Sequence, residues 1–403
     1  MQRIKVLHMV GLTQGYGVER QLLDHLALNA ENPNEIEHHV CALKISEEIQ
    51  RELEELEIPY IKNNLKSFSK IGQLKRYVQQ NNIQILHAHN LLRYPIRTRI
   101  IPKLIGIPAV LEHEHGMVWN MGFSPLLNAT KQLVNMNICN SDAAKIMLKT
   151  KFEIEARVVH NGIKIPEILP ADSHCDKIAK ELKLEEHDHV VGFVGRLNTP
   201  KGVHAFIRMV QIIKQTMNNV KFLIVGDGPM RTELEQFAEQ LDVRNDILFM
   251  GFRSDVRAIM SRLDVMVVPS IREPFGNVVI EAAFAKRVVV ASCVDGIAET
   301  IIHGETGFLI DCTDPAPQRT KRGISRLPNC VVDGRSRQLR QPMLPNSSML
   351  AETVMMCLEN PLLREKIGDN AFRRASQYFS LERYRTDLDQ LYRELSARTN
   401  ADL

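Results

Sequence analysis

No apolar run in this chain approaches the ~18 residues that a membrane-spanning helix needs, so a helical membrane protein is not expected. The opening stretch MQRIKVLHMV lacks a secretory cleavage pattern and reads as a short strand, which points to the cytoplasm. Cysteine is sparse and unpatterned. The seven residues Cys41, Cys139, Cys175, Cys293, Cys312, Cys330 and Cys357 include no C-x-x-C, so neither a disulfide framework nor a zinc cage is indicated. An excess of one charge is lacking too: 51 Lys and Arg stand against 48 Asp and Glu, a net charge of +3, which argues against a nucleic-acid partner. What is present is ordinary for a globular protein, with 44% hydrophobic and 25% charged residues over 403 positions, enough for two domains that each bury a core.

Short β-rich apolar runs alternate with helical patterns through the first 165 residues. IKVLHMV (4–10), HHVCAL (38–43), IQILHAH (83–89) and IPAVLEHEH (107–115) read as strands, with helices predicted over 20–30 and 71–80. Such alternation predicts a parallel sheet with right-handed crossovers, a doubly wound α/β domain of residues 1–165. The proline-bearing stretch around 165–177 marks a linker, set at 166–185. A second alternation fills 186–378, with strands HVVGFVG (189–195), KFLIVGDG (221–228), DILFMG (246–251), DVMVVPS (264–270) and RVVVAS (287–292). In 379–403, Leu381, Tyr384, Leu388, Leu391 and Leu395 share one side of a helix with Ser380 at its N-cap, a pattern expected to dock back on the first domain.

In open α/β sheets ligands bind beyond the carboxyl ends of strands, where glycine turns and helix N-termini admit phosphate. In VGFVGRLNTPKG the strand ends at Gly195, and Arg196 and Lys201 place two cations in one loop, suited to the charge that a departing diphosphate develops. A surface loop with incidental cations is the plain alternative. In SIREPFGNVVIEAAFA, Glu273 and Glu281 stand seven residues apart across a strand–turn–helix junction, the amides around Gly276 able to face an anion and the carboxylates to accept from sugar hydroxyls. Glu281 also suits a helix N-terminus for its dipole alone.

The ordered set GR-x4-KG, VGDGP, E-x7-E, G-x-x-E and GETGFL resembles the retaining glycosyltransferase family four over nearly the whole chain. The resemblance implies the GT-B architecture, two doubly wound Rossmann-like domains facing each other across a cleft whose closure excludes water. It implies that Arg196 and Lys201 bind the donor diphosphate, that Glu273 contacts the donor sugar and that Glu281 holds the ribose. Donor contacts also fall to Gly251 and Phe252 in FMGF, to Phe275, Gly276 and Asn277, and to the turn GLTQGYGVE at Gly15 and Gly17, where Tyr16 separates glycines that the family has adjacent. LEHEHGM carries over His115 as a catalytic residue, Ser141 matches a serine-bearing strand end, and Asn161 an asparagine–glycine turn.

HAH (87–89) and HEH (113–115) each put two imidazoles on one strand face, but the sequence sets no third ligand, so no metal and no cofactor are expected. DLD (387–389) matches a metal-binding D-x-D only in its letters, since it lies on the terminal helix.

The segment 315–346 departs from the family. It carries Arg319, Lys321, Arg322, Arg326, Arg335, Arg337 and Arg340 against the single acid Asp333, which suits an anionic acceptor or membrane face or else a floppy loop. A second basic stretch, Lys62, Lys66, Lys70, Lys75 and Arg76 among Ile61, Leu65, Phe68, Ile71 and Leu74, is either interfacial or the polar side of a core helix.

The expected function is retaining transfer from a nucleotide-sugar, a UDP-sugar first, to a glycan or lipid-linked acceptor in bacterial surface polysaccharide assembly: lipopolysaccharide, capsule or exopolysaccharide. The alternatives are a GT-B nucleotide-sugar epimerase and a non-catalytic nucleotide-sugar-binding protein. Peripheral contact with the anionic inner face of the cell membrane is a further expectation.

Overall fold

The computed structural model describes residues 3–13, 17–122, 124–165, 172–182, 185, 188–317 and 327–401. The chain divides into two compact units, unit 1 comprising Met1–Lys164 with Phe379–Leu403 and unit 2 Ile165–Tyr378. Among the described residues no helix is long and apolar enough to cross a membrane.

Unit 1 is built on a parallel sheet whose described strands are β1 (Ile4–Leu12), β2 (Ile36–Ile45), β3 (Tyr60–Lys62), β4 (Ile85–His89), β5 (Ala109–Glu114), β6 (Met136–Cys139) and β7 (Arg157–Val158), in the order β3-β2-β1-β4-β5-β6-β7. All these pairings are parallel, so helices must cross over the faces. Side-chain caps start several of them: Ser46, Ser67 and Ser141 accept from the backbone N–H of Ile49, Lys70 and Ala144, satisfying donors that the first turn leaves open. The helix Leu381–Ala401 covers one sheet face, with Leu381, Tyr384, Leu388, Leu391, Tyr392 and Leu395 buried against Val6, Ile85, Leu111 and Ile138. Each fully buried leucine there contributes roughly 1.5–3 kcal/mol.

On the other face, the helix Phe68–Asn81 buries Leu74 and Val78 beside Leu65, with Ile61 and Ile71 packed against the same cluster. The apolar half of the Lys62–Arg76 pattern is therefore core. Phe68 is the exception at 94% exposed, and Lys66, Lys75 and Arg76 of the same stretch are exposed as well.

In unit 2 the described strands β8 (His189–Val194), β9 (Val220–Val225), β10 (Ile247–Gly251), β11 (Val265–Val268), β12 (Val288–Ser292) and β13 (Phe308–Ile310) form a second parallel sheet, ordered β10-β9-β8-β11-β12-β13. Its valine- and isoleucine-rich runs are buried on both faces, as a sheet covered by crossover helices requires.

The described part of the unusual segment is folded onto this unit. Val331–Val332 pairs antiparallel with Leu339–Arg340, Asp314–Pro315 pairs with Met343–Leu344, and Val331, Val332 and Leu344 are buried. This corrects the picture of cations facing a lone acid. Arg340 pairs with the segment's own Asp333 at 2.9 Å, but Arg335 pairs with Asp311 at 2.7 Å and Arg337 with Glu299 at 2.8 Å, because folding brings in two acids from outside the segment. Arg319, Lys321, Arg322 and Arg326 lie outside the described residues, as do 166–171 of the linker stretch.

Candidate active site

The strand order of unit 2 reverses between β8 and β11, so the loops leaving these neighbouring strands diverge and open a crevice at their carboxyl ends. Both charged motifs sit at this switch point. After β8 the chain passes Gly195 and the exposed Arg196 into a short 3-10 turn, Thr199–Lys201, that ends on Gly202. Gly202 has φ +64° and a Cβ there would lie 2.0 Å from Pro269 O, so the β8 loop can lie against the end of β11 only with glycine at this position. That approach brings Lys201 Nζ to 2.5 Å from Glu273 Oε2, although 71 residues intervene between them in the chain.

Ser270 Oγ donates to the same Glu273 oxygen at 3.3 Å, and the Glu273 backbone N–H donates to Asp295 Oδ2 at 3.0 Å. The other Asp295 oxygen accepts from Val332 N at 2.7 Å, and Asp295 N donates to Val332 O at 2.8 Å. Asp295 is fully buried, so it ties the Glu273 loop to the hairpin 331–340 through bonds that water does not replace. Sequence reasoning missed Ser270 and Asp295. The signal available for Asp295 was an Asp-Gly pair closing the apolar run RVVVAS, a turn at a strand end.

Beyond Glu273, Gly276 (φ +100°) turns the chain into the helix Asn277–Phe284, in which Glu281 is half-buried. Phe275 is 2% exposed, so its side chain packs in the interior and only its backbone is left to meet a ligand. Gly251 ends β10 with φ +68°, its carbonyl accepting from Gly226 N at 2.8 Å, and the next side chain, Phe252, is 67% exposed. The structure thus brings Lys201 and Glu273 into contact and puts Arg196, Gly251 and Phe252 at the same edge of the unit 2 sheet. Gly15 lies outside the described residues together with Tyr16; Gly17 (φ +56°) opens the helix Val18–Glu31, whose Glu19 accepts from Thr13 N at 2.8 Å.

His115 follows β5 in unit 1, where Glu114 Oε1 accepts from Gly116 N at 2.6 Å and Val118 N at 2.9 Å and so shapes the turn. It ends a buried array of imidazoles that the sequence did not reveal. The register aligns His8 with His87 and His89 with His113, and alternation puts all of these rings, with His38, on the face covered by Leu381–Ala401. His8 Nδ1 meets His89 Nε2 at 2.9 Å, His8 Nε2 meets His38 Nδ1 at 2.9 Å, and His87 Nδ1 meets Tyr392 Oη at 2.7 Å. Burial pushes the pKa of His115 down to about 3 and holds those of His8, His38, His87, His89 and His113 well below the usual value, with repulsion among neighbouring rings second. His115 is accordingly a neutral hydrogen-bonding group near pH 7, ill suited to general-base work.

Both units resemble known proteins. The family described as Glycosyltransferase Family 4 matches residues 17–165, and that described as Glycosyl transferases group 1 matches residues 175–331. An uncharacterized glycosyltransferase of Methanocaldococcus jannaschii is 35% identical over 167 residues, covering 40% of this chain and 43% of that protein. The UDP-Gal:alpha-D-GlcNAc-diphosphoundecaprenol alpha-1,3-galactosyltransferase of Escherichia coli is 23% identical over 77% of this chain and 85% of its own length. The chain spans about half the length of other curated relatives it matches, 52% in one case. Among solved structures, Anabaena HepE in complex with UDP and glucose superposes with a TM-score of 0.75 at 23% identity, covering 97% of this chain and all of HepE, a likeness of fold. With two adjoining family matches, and a fold of two parallel-sheet Rossmann-like units shared with GT-B enzymes, the chain belongs to the family-four glycosyltransferases.

Proposed function

We propose that this chain transfers a sugar from a UDP-sugar to a hydroxyl of a glycan or lipid-linked acceptor, with the anomeric configuration retained. The observation that carries this reading is the Lys201–Glu273 pair at the switch point of unit 2. On donor binding, Lys201 and Arg196 turn to the diphosphate and Glu273 accepts from hydroxyls of the sugar. Glu281 holds the ribose, the backbone of Phe275, Gly276 and Asn277 faces the phosphates, and the Gly251–Phe252 corner receives the base. His115 is the unit 1 residue assigned to the donor sugar or the acceptor.

In the chemical step the bond from the anomeric carbon to the β-phosphate oxygen breaks, and the acceptor oxygen bonds to that carbon on the same face. The acceptor proton passes to the departing phosphate, so a neutral His115 fits a step that asks for no protein base. Cations and backbone dipoles fixed in advance stabilise the charge growing on the leaving group. HepE's UDP and glucose favour a UDP-linked donor, and the diphosphoundecaprenol named for the E. coli relative favours a lipid-linked acceptor in surface polysaccharide assembly. Such an acceptor puts the enzyme at the inner face of the cell membrane.

The test is nucleotide release from UDP-, GDP- and ADP-sugars without added metal, with and without a membrane extract as acceptor. Acceptor-stimulated release of UDP is expected, falling by about 10²–10³-fold in Glu273→Ala. Interconversion of the donor without acceptor would make the chain an epimerase instead, and binding without turnover would make it a binding protein.

A further inference from the structure

We propose that unit 1 binds one divalent transition-metal ion of the zinc class at His89, His113 and His115. One nitrogen from each of these three rings lies within 4.8 Å of the other two, and all three residues are buried. His89 Nδ1 and His115 Nε2 stand 3.5 Å apart, long for a hydrogen bond and close to the separation of about 3.3 Å that two imidazole nitrogens take on a tetrahedral ion with bonds of about 2.0 Å.

A second, independent observation points the same way. His113 Nε2 is a buried ring nitrogen with no hydrogen-bond partner among the described residues, while the other nitrogen of that ring meets His87. Leaving such a group unpaired is unfavourable, and coordination to an ion offsets that cost. The neighbouring shell is suited to orienting ligands, since His8 Nδ1 meets His89 Nε2 at 2.9 Å and His87 Nε2 meets His113 Nδ1 at 3.3 Å. His115, at 7% exposure, is the least buried of the three and stands at the strand end, the side from which an ion enters. The fourth position of a tetrahedral ion is left to water. A second triad, His8, His87 and His89, shares His89, so the two compete for one ion. The unpaired Nε2 of His113 favours the first.

The experiment strips the full chain with chelator, adds Zn²⁺ or Co²⁺, dialyses, and measures metal content together with the Co²⁺ spectrum. About one equivalent per chain is expected, with the ligand-field bands of a four-coordinate nitrogen site and a raised melting temperature. His113→Asn should lose at least about nine-tenths of the retained metal, whereas His38→Asn, outside both triads, should keep it. Failure of the wild-type chain to retain metal would overturn the proposal. So would retention undiminished in His113→Asn, or a thiolate charge-transfer band showing cysteine ligation. Should His113→Asn not fold, X-ray absorption on the Zn²⁺-loaded wild-type chain decides: three imidazoles around the ion support the site, and fewer refute it. No outcome depends on transferase activity, so failure of this site is distinguished from failure of the proposed function, which also names His115.

Discussion

Asp295 gives one carboxylate oxygen to Glu273 N and the other to Val332 N, and both partners are donors. Asp295→Asn keeps the shape but turns one acceptor into an NH₂ group facing an N–H, which leaves a buried donor unsatisfied at a cost of roughly 1–3 kcal/mol. Because both bonds hold the Glu273 loop to the hairpin 331–340, loss of either should reach the chemistry. A fall in kcat of about 10–10²-fold is expected, with a melting temperature lower by a few degrees. Steady-state kinetics beside a thermal melt check this. A change in melting temperature with kcat intact would reduce Asp295 to a structural tie. The glutamate was legible from its motif, whereas its support was not: Val332 lies in a segment that shows no periodicity and reaches Asp295 from 37 positions further along.

At the scale of an element, the helix Phe68–Asn81 shows how one amphipathic pattern serves two ends. Leu74 and Val78 lock it to the sheet, while Phe68 in its first turn projects at 94% exposure among lysines. A lone aromatic beside cations is the arrangement expected where a surface touches an anionic bilayer. Phe68→Ser should lower co-sedimentation with vesicles of anionic lipid by about tenfold, since burying a phenyl ring is worth some 1.5–3 kcal/mol. It should leave the melting temperature in place. Unchanged co-sedimentation would remove the helix from any membrane role. The long buried strands were readable from their β-branched runs. Tyr60–Lys62, Arg157–Val158 and Phe308–Ile310 escaped because two or three residues carry no period and are fixed only by the neighbour they pair with.

For the whole molecule, the histidines make the two units unequal in acid. In unit 1 the pKa values of His8, His38, His87, His89 and His113 lie well below that of a free imidazole, and those of His25 and His115 fall to about 3, while in unit 2 His204 is lowered to about 4. Above pH ~6.5 both the folded and the unfolded chain hold these rings neutral, and the full stability is present. Below it the unfolded chain takes up protons that the folded one refuses. Each ring then removes up to about 1.4 kcal/mol per pH unit until its folded pKa is reached. Metal-stripped protein scanned from pH 7.5 to pH 5 should therefore lose the melting transition of unit 1 ahead of that of unit 2. Two transitions moving together would contradict this. Any ion held by the histidines is displaced in the same direction, since protons compete for its ligands.

The sequence by itself determined the α/β class, the two-unit order and the family, because burial on both sheet faces demands continuous apolar runs and phosphate-binding turns demand glycine at strand ends. It also singled out Lys201 and Glu273 one by one. Tertiary structure alone decided that these two touch, that the arginines of the unusual segment are matched by Asp311, Glu299 and Asp333, and that histidines from four strands meet under one helix. Strand order and register set these meetings, and they depend on the packing of the whole sheet rather than on any local stretch of chain.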